Sequence, residues 1–156
     1  MKIRTRFSTQ IIPGTYFTGN IERVTAYEKV PPSLLIKRGG KPEPDDFRGE
    51  QAFFFTVKGK GLVVLSGCAH AGIVNTVKQT QKVAGLEKIH AVLGGFHLIN
   101  AKPKIIQKTV SDIKALKPDY VVPTHCTDFE AIVAFKQEMP GEFIINATGT
   151  QYTFAA

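Results

Sequence analysis

Three of the four histidines in the sequence occupy equivalent positions along the chain. His70, His97 and His125 each follow a short apolar run that predicts a β-strand. The carboxyl ends of neighbouring parallel strands meet at one edge of an α/β sheet, where ligands usually bind. Three imidazoles and an open position for water are a common ligand set of catalytic zinc ions. The spacing therefore predicts a divalent metal site, in which the ion would activate water or polarise a phosphoryl or carbonyl oxygen.

Each of these histidines also has a structural interpretation. A histidine after a strand can cap a helix or bond to a nearby carbonyl group. The repetition of the pattern at three equivalent positions favours the metal site over three separate structural roles. His90 lies inside a predicted strand and is interpreted as structural.

Two cysteines and one aspartate accompany the predicted ligands. Cys68 and Cys126 lie within two residues of His70 and His125, where they could be soft metal ligands, groups behind the ligands or an oxidisable pair. A free cysteine is also a common small buried residue, and this role is preferred here. Asp128 is expected to cap a helix, with a supporting role at the metal as the alternative. A Cys68–His70 nucleophile and base is not favoured, because side chains two residues apart need not face each other.

From residue 52 onward, apolar periodicity predicts alternating strands and helices. The predicted strands are 53–57 and 62–66, joined by a hairpin turn at 58–61, then 89–93 and 120–122, with 143–145 and 151–154 closing the sheet. Helices are predicted after the second, third and fourth strands: the first ends at Gly85, the second begins at Pro103, and the third follows a cap at Thr127 or Asp128. This order is typical of an α/β unit.

The first third of the chain has a different composition. Residues 1–50 are expected to form an irregular segment with short strands at 15–18 and 33–37. The stretch 38–46 has adjacent glycines, two prolines and almost no apolar content, which predicts a mobile loop. Residues 51–156 are expected to form the α/β unit, and both segments together one structural domain.

Composition restricts the possible classes of protein. No run of 18 apolar residues occurs in the 156-residue chain, so no membrane-spanning helix is expected. The basic start is not followed by an apolar stretch and there are two cysteines, so we expect a cytoplasmic protein without a disulfide scaffold. The net charge of +7 favours a small anionic substrate. Nucleic acid is not expected as a partner, because no RNA-binding signature is present.

Three segments carry a resemblance to a known family. They are 67–76 (GCAHAGIVNT), 92–98 (VLGGFHL) and 122–127 (VPTHCT). In this order they resemble motifs of the metallo-β-lactamase superfamily, most closely its branch of dihydropterin-ribofuranosylaminobenzene-phosphate synthase-like metal-dependent hydrolases. Residues 13–19 and 50–52 match further segments of that branch.

The resemblance implies the C-terminal half of an αββα sandwich, with a mixed sheet, helices on one face and a two-metal site at one edge. His70 matches the third metal-binding motif and His125 the last, whereas His97 stands where most members have a bridging aspartate. The implied cofactor is zinc, with manganese or iron as alternatives. The family signature His-x-His-x-Asp-His is absent from this sequence. We therefore expect a natural short form, a split gene product or a fragment that lacks part of the site.

A half-sandwich would leave one apolar face of its sheet uncovered. We therefore expect association, either as a homodimer or with a separate chain that supplies the N-terminal half. The first functional hypothesis is a metal-dependent hydrolase or transferase, or a subunit of one, that acts on a phosphorylated or pterin-like anion. The alternative is a catalytically inactive remnant that serves as a binding or assembly module. A third hypothesis, an RNA-binding surface, predicts an affinity that falls steeply with salt.

Overall fold

The central feature of the fold is a six-stranded mixed sheet, seen in a computed structural model that describes residues 8–30 and 32–155. Its strands lie in the order β1-β2-β5-β6-β7-β8, and β3 and β4 form a separate two-stranded sheet. The strands are β1 (Thr9–Ile12), β2 (Thr15–Phe17), β3 (Leu35–Arg38), β4 (Lys41–Pro44), β5 (Phe53–Val57), β6 (Gly61–Ser66), β7 (Ile89–Gly95) and β8 (Tyr120–Thr124). The helices are α1 (Ile73–Ala84), α2 (Pro103–Ala115) and α3 (Phe129–Glu138), and a single 3-10 turn spans His125–Thr127.

The last three strands of the large sheet are parallel. β6 pairs with β7 and β7 with β8, and the connections between them run through α1 and α2. The carboxyl ends of these strands therefore lie at the same edge of the sheet, as the predicted alternation of strands and helices requires. β5 and β6 form the predicted antiparallel hairpin, and Gly59 in its turn has a φ of +75°.

The helices pack on one face of this sheet, which confirms the predicted α/β class. Buried residues of the helices, such as Ile73, Val77, Val110 and Phe135, join one apolar core with strand residues. The apolar cluster on the opposite face contains no helix residue in the part of the chain that is described. The spacing of the buried residues in α1 follows the helical period, and the helix ends at Gly85 in a left-handed conformation, as predicted. Within residues 8–30 and 32–155, no helix combines the length and apolarity that crossing a membrane requires.

The segment 38–46 differs from the predicted loop, because it contains strand β4. β3 and β4 pair antiparallel along their whole length. Gly39 and Gly40 form the turn with φ values of +56° and +86°, as a two-residue hairpin turn requires. The prolines of β4 are compatible with pairing, because an edge strand has positions whose N–H group makes no ladder hydrogen bond. The polar and proline-rich composition of this segment predicted a loop, whereas the segment forms part of a β-hairpin.

The strands predicted at the end of the chain are also wrong in part. Residue Phe143 makes a single bridge to β8, and 151–154 has no strand pairing. Tyr152 and Phe154 instead pack against the sheet face opposite the helices, where they help to bury the second apolar cluster. Their aromatic side chains suit a strand or a covering segment equally well, and periodicity alone does not distinguish the two.

Part of this second face is not covered. Phe53 and Leu65 oppose each other in the β5–β6 ladder and are 41% and 44% exposed. Phe17 packs against Phe53, with ring centroids 4.5 Å apart. Contiguous exposed apolar patches are typical of interaction surfaces. We predict that the chain, when expressed alone, self-associates through this face.

The substitution Phe53→Lys tests this prediction by size-exclusion chromatography with light scattering. We expect an associated wild type and a variant that associates at least about tenfold more weakly, because burial of a phenylalanine contributes about 1.5–3 kcal/mol. The control is Phe129→Lys, since Phe129 is 75% exposed at the start of α3, away from this face. A monomeric wild type at micromolar concentration, or equal effects of both substitutions, would contradict the prediction.

Candidate metal centre

The loops after β6, β7 and β8 lie at one edge of the sheet and carry the predicted site residues. Five non-glycine residues in these loops have left-handed backbone conformations: Ala69 (φ +57°), His97 (φ +48°), Asn100 (φ +57°), His125 (φ +51°) and Asp128 (φ +71°). Such conformations cost of the order of 1–3 kcal/mol each and persist where the surrounding structure enforces them. Their concentration at this edge is typical of functional sites.

Cys68, His125 and Cys126 form a cluster of donor atoms. The two Sγ atoms and a ring nitrogen of His125 lie within 4.8 Å of one another. The distance from His125 Nε2 to Cys68 Sγ is 3.1 Å, and the Cys126 thiol donates to the Cys68 carbonyl oxygen at 3.4 Å. Burial raises the pKa of the Cys126 thiol to about 11, whereas a nearby positive charge would favour the thiolate.

Glu50 positions His70. Its carboxylate accepts hydrogen bonds from the backbone N–H groups of His70 at 2.7 Å and Ala71 at 2.5 Å, and one of its oxygens lies 2.6 Å from His70 Nδ1. Phe47 stacks on the imidazole, with ring centroids 4.1 Å apart. Because an ionised carboxylate only accepts hydrogen bonds, the contact with Glu50 favours a proton on Nδ1, an arrangement that leaves Nε2 as the atom able to bind a metal ion. A carboxylate behind the ring is the usual support of a metal-binding histidine.

His97 lies beside His70, with ring centroids 4.5 Å apart. Its Nδ1 atom is buried and has no hydrogen-bond partner among the residues that the structure describes. Burial lowers the pKa of His97, and the neighbouring His70 lowers it further, whereas Glu50 acts in the opposite direction. The neutral imidazole is the form that binds metal ions, so this nitrogen suits a metal or a polar group of a substrate.

Asp128 has the predicted role of a helix cap. One carboxylate oxygen accepts from the backbone N–H of Phe129 at 2.7 Å at the start of α3. The other accepts from the backbone N–H of Asn100 at 3.2 Å, which ties the loop after β7 to the loop after β8. Asp128 therefore supports the backbone of the site.

Gly95 allows two of these loops to approach each other. A Cβ atom at this position would collide with the Gly67 carbonyl oxygen and would lie 2.9 Å from Cys126 Sγ and 3.1 Å from Cys68 Cα. The backbone N–H of Gly95 donates to the same Gly67 oxygen at 2.9 Å. Both cysteines are thus packed against a position that has room only for hydrogen.

We predict that Gly95→Ala lowers the free energy of unfolding by about 1–3 kcal/mol, the usual cost of overpacking, because the backbone of residue 67 cannot move aside without breaking this contact. Urea denaturation measures the change. Gly67→Ala is the control, since a Cβ atom there meets nothing within 4 Å. Equal stability of the two variants would show that the edge is looser than the structure indicates.

The predicted site residues thus fall into two neighbouring groups. His70 and His97 are in contact, and His125 is joined to the two cysteines. Sequence reasoning missed Glu50 and Phe47 as partners of His70, because no local pattern links residues that are 20 or more positions apart. The one available signal was the match of residues 50–52 to a family segment. His90 pairs with Asp119 at 2.7 Å, at the opposite edge of the sheet, in agreement with its structural interpretation.

The donor set fits a divalent metal ion of the zinc or iron type. Thiolate and imidazole ligands favour these ions over magnesium or calcium, which prefer oxygen ligands. Donor atoms around one tetrahedral zinc ion are ~3–4 Å apart, given Zn–S and Zn–N bonds of ~2.3 and ~2.0 Å. The spacing of the Cys68, His125 and Cys126 donors, within 4.8 Å, requires only small adjustments. The unpaired Nδ1 of His97 and the Glu50-supported His70 fit the same interpretation.

A cavity of about 180 Å³ adjoins His70 and His97. It lies between residues 27–29 and the start of α2. The first turn of α2 has no acidic residue, and the exposed Lys102 and Lys104 flank its beginning. A helix amino terminus with lysines favours negative charge nearby, whereas the lining of the cavity itself includes both Lys29 and Glu28.

Known proteins resemble this chain in both sequence and structure. A synthase from Methanocaldococcus jannaschii, 7,8-dihydropterin-6-methyl-4-(β-D-ribofuranosyl)-aminobenzene-5′-phosphate synthase, is 35% identical over 144 residues, which are 90% of this chain. An uncharacterised protein of the same organism is 32% identical over 100 residues, or 64% of this chain. A crystal structure described as a metal-dependent hydrolase of the β-lactamase superfamily superposes on the whole chain with a TM-score of 0.85 and 29% identity. No protein-family model matches.

The chain is shorter than these relatives. It spans 49% of the synthase, 36% of the uncharacterised protein and 58% of the hydrolase structure. The similarity to the synthase and to the hydrolase structure therefore covers this chain almost completely, but roughly half of these two relatives has no counterpart here.

Proposed function

This chain has the metallo-β-lactamase fold and is a partial relative of that superfamily, and from this premise we propose that it binds a divalent metal ion and acts in hydrolysis or group transfer on a small anion. The observation that carries the proposal is the Cys68, His125 and Cys126 donor cluster at the carboxyl edge of the parallel strands. Ligands of α/β sheets bind at this edge. A structural role for all three side chains would not require their donor atoms to converge.

The proposed ion is zinc, with iron or manganese as alternatives. Cys68, Cys126 and His125 would hold it, and Nε2 of His70 and a nitrogen of His97 are proposed as further ligands. When bound, such an ion supplies a water molecule of lowered pKa and polarises a phosphoryl or carbonyl oxygen.

Neighbouring residues at this edge of the sheet orient the two histidines or set their protonation. Glu50 fixes the proton on Nδ1 of His70 and thereby presents Nε2 as the ligand atom. Phe47 covers one face of that ring and restricts its rotation. Burial lowers the pKa of His97 and so favours the neutral ring, whose nitrogen can act as a ligand or as a hydrogen-bonding group.

The proposed substrate is a small anion, phosphorylated or pterin-like. The net charge of +7 and the lysines at the start of α2 favour a negatively charged molecule. The cavity next to His70 and His97 would hold the part of the substrate that does not react. The printed name of the synthase relative contains both a dihydropterin and a phosphate group, which supports this choice.

A second candidate function is a binding or assembly module without catalysis. The absence of His-x-His-x-Asp-His from the sequence favours it, because a two-metal site of the family type would need ligands that these 156 residues do not supply.

Metal analysis combined with a hydrolysis assay distinguishes these proposals. We expect the wild-type chain, incubated with zinc and desalted, to retain at least one zinc ion per chain in mass spectrometry of the metal. The zinc-loaded protein, but not the metal-free protein, should hydrolyse a chromogenic phosphate ester. Retained zinc without hydrolysis would favour the second candidate. A chain that retains no zinc, iron or manganese would overturn the proposed metal site.

A further inference from the structure

Cys68 and Cys126 form a close pair of thiols, although 58 positions separate them in the sequence. Their Sγ atoms are within 4.8 Å of each other. The Cys126 thiol already points at the backbone of Cys68, since it donates to that carbonyl oxygen at 3.4 Å. A disulfide needs an S–S distance of about 2.0 Å. Formation of the bond therefore requires rotation of the two side chains, which shortens the separation of the sulfur atoms.

The loops that carry the two thiols are held together by the backbone. Gly95 lies between them, and its N–H donates to Gly67 O at 2.9 Å. The backbone N–H of Ile99 donates to Cys126 O at 3.0 Å and ties the second thiol to the same region. Both cysteines are free and half-buried, so a small molecule can reach them while their relative position is maintained.

We propose that Cys68 and Cys126 are a redox modification site, at which a small disulfide such as oxidised glutathione converts the two thiols into an intramolecular disulfide. One protein thiolate attacks a sulfur of the small disulfide, forms a mixed disulfide and releases one small thiolate. The second protein thiolate attacks the mixed disulfide at the protein sulfur and releases the other small thiolate. The two cysteine sulfurs lose two electrons to the small disulfide, and the two thiol protons pass to the released thiolates.

The modification regulates the metal centre. A disulfide removes both sulfur ligands from the Cys68, His125 and Cys126 cluster, and a metal ion bound there blocks both thiols. Oxidation and metal binding are then mutually exclusive. A bound metal ion prevents formation of the disulfide, and the disulfide prevents binding of the metal ion. This second step rests on the proposed function, whereas the formation of the disulfide does not.

The first experiment uses the metal-free chain and oxidised glutathione, with intact mass and peptide mapping under non-reducing conditions. We expect a mass decrease of two hydrogen atoms, a peptide that links Cys68 to Cys126, and no retained glutathione. In the variants Cys68→Ser and Cys126→Ser, the remaining thiol cannot close the ring and should retain one glutathione. A wild-type chain that stays reduced, or that retains two glutathione molecules, would overturn the redox site.

The second experiment repeats the oxidation after loading with zinc. At a zinc concentration about ten times the dissociation constant, about a tenth of the protein is metal-free, so disulfide formation should slow about tenfold. Equal rates of disulfide formation with and without zinc would overturn the coupling between the thiols and the metal. The proposed redox site would still stand in that case. A chain that binds zinc but forms no disulfide when metal-free would overturn the redox site and leave the proposed function standing.

Discussion

Replacing His125 with alanine should weaken zinc binding by more than about 100-fold, because loss of a group that only supports a ligand already costs 10–100-fold. His125 supplies the nitrogen donor that lies 3.1 Å from Cys68 Sγ. Without it, the two thiols remain as an incomplete ligand set. Competition with a chromogenic chelator measures the dissociation constant in the wild type and the variant.

Variants of the neighbouring residues separate a ligand from its support. His70→Ala should have an effect as large as His125→Ala, whereas Glu50→Gln, which keeps the shape but loses the charge behind His70, should weaken binding by about 10–100-fold. The control is His90→Gln, because His90 lies at the opposite edge of the sheet against Asp119. Unchanged zinc binding in both His125→Ala and His70→Ala would contradict the metal site. Loss in His125→Ala alone would limit the ligands to the cluster that contains the cysteines.

Replacing Glu28 with alanine should lower the free energy of unfolding by about 2–4 kcal/mol, because it leaves buried donors without partners. The Glu28 carboxylate accepts from the backbone N–H groups of Val74 at 2.9 Å and Asn75 at 3.0 Å, which are the first turn of α1. It also accepts from the Thr25 hydroxyl at 2.9 Å. The structure thus places a distant carboxylate as the amino-terminal cap of α1, where Gly72 itself offers no side chain.

Urea denaturation measures this change. Glu28→Gln keeps one acceptor oxygen and should cost less than Glu28→Ala. Glu22→Ala is the control, since Glu22 forms an exposed ion pair with Lys82, and exposed pairs contribute little to stability. A Glu28→Ala variant as stable as the Glu22→Ala variant would show that the cap contributes nothing.

The stability contributed by Glu28 should also depend on pH. Burial raises the pKa of Glu28 above its ordinary value of 4.5, against the hydrogen bonds from Val74 and Asn75 that lower it. The folded chain then binds the proton more tightly than the unfolded chain, so this contribution is present at low pH and is lost as the pH rises through the raised pKa. The stability of the wild type relative to Glu28→Gln should therefore decrease as the pH increases from 4.5 upward. An increase over that range would contradict the raised pKa.

Local patterns in the sequence determined most of the fold. The apolar spacing of residues 73–77 and the stop at Gly85 sufficed to predict α1, because both signals lie within a few residues of each other. The same holds for the β5–β6 hairpin and for the position of three histidines after three strands. The turn between β3 and β4 gave a weaker local signal. The hairpin of β3 and β4 depends on two glycines within a polar stretch that resembles a loop.

Only the tertiary structure decided which groups meet at the edge of the sheet. The sequence by itself places His70, His97 and His125 in loops at that edge, because parallel strands end there. It does not show that His125 meets the two thiols, that Glu50 lies behind His70, or that Glu28 caps α1 from 46 positions away. Such contacts depend on how the loops bend and on which carboxylate fits a given gap. The bending of the loops and the fit of the carboxylates arise from packing across the whole sheet. They produce no periodic pattern in the amino-acid sequence.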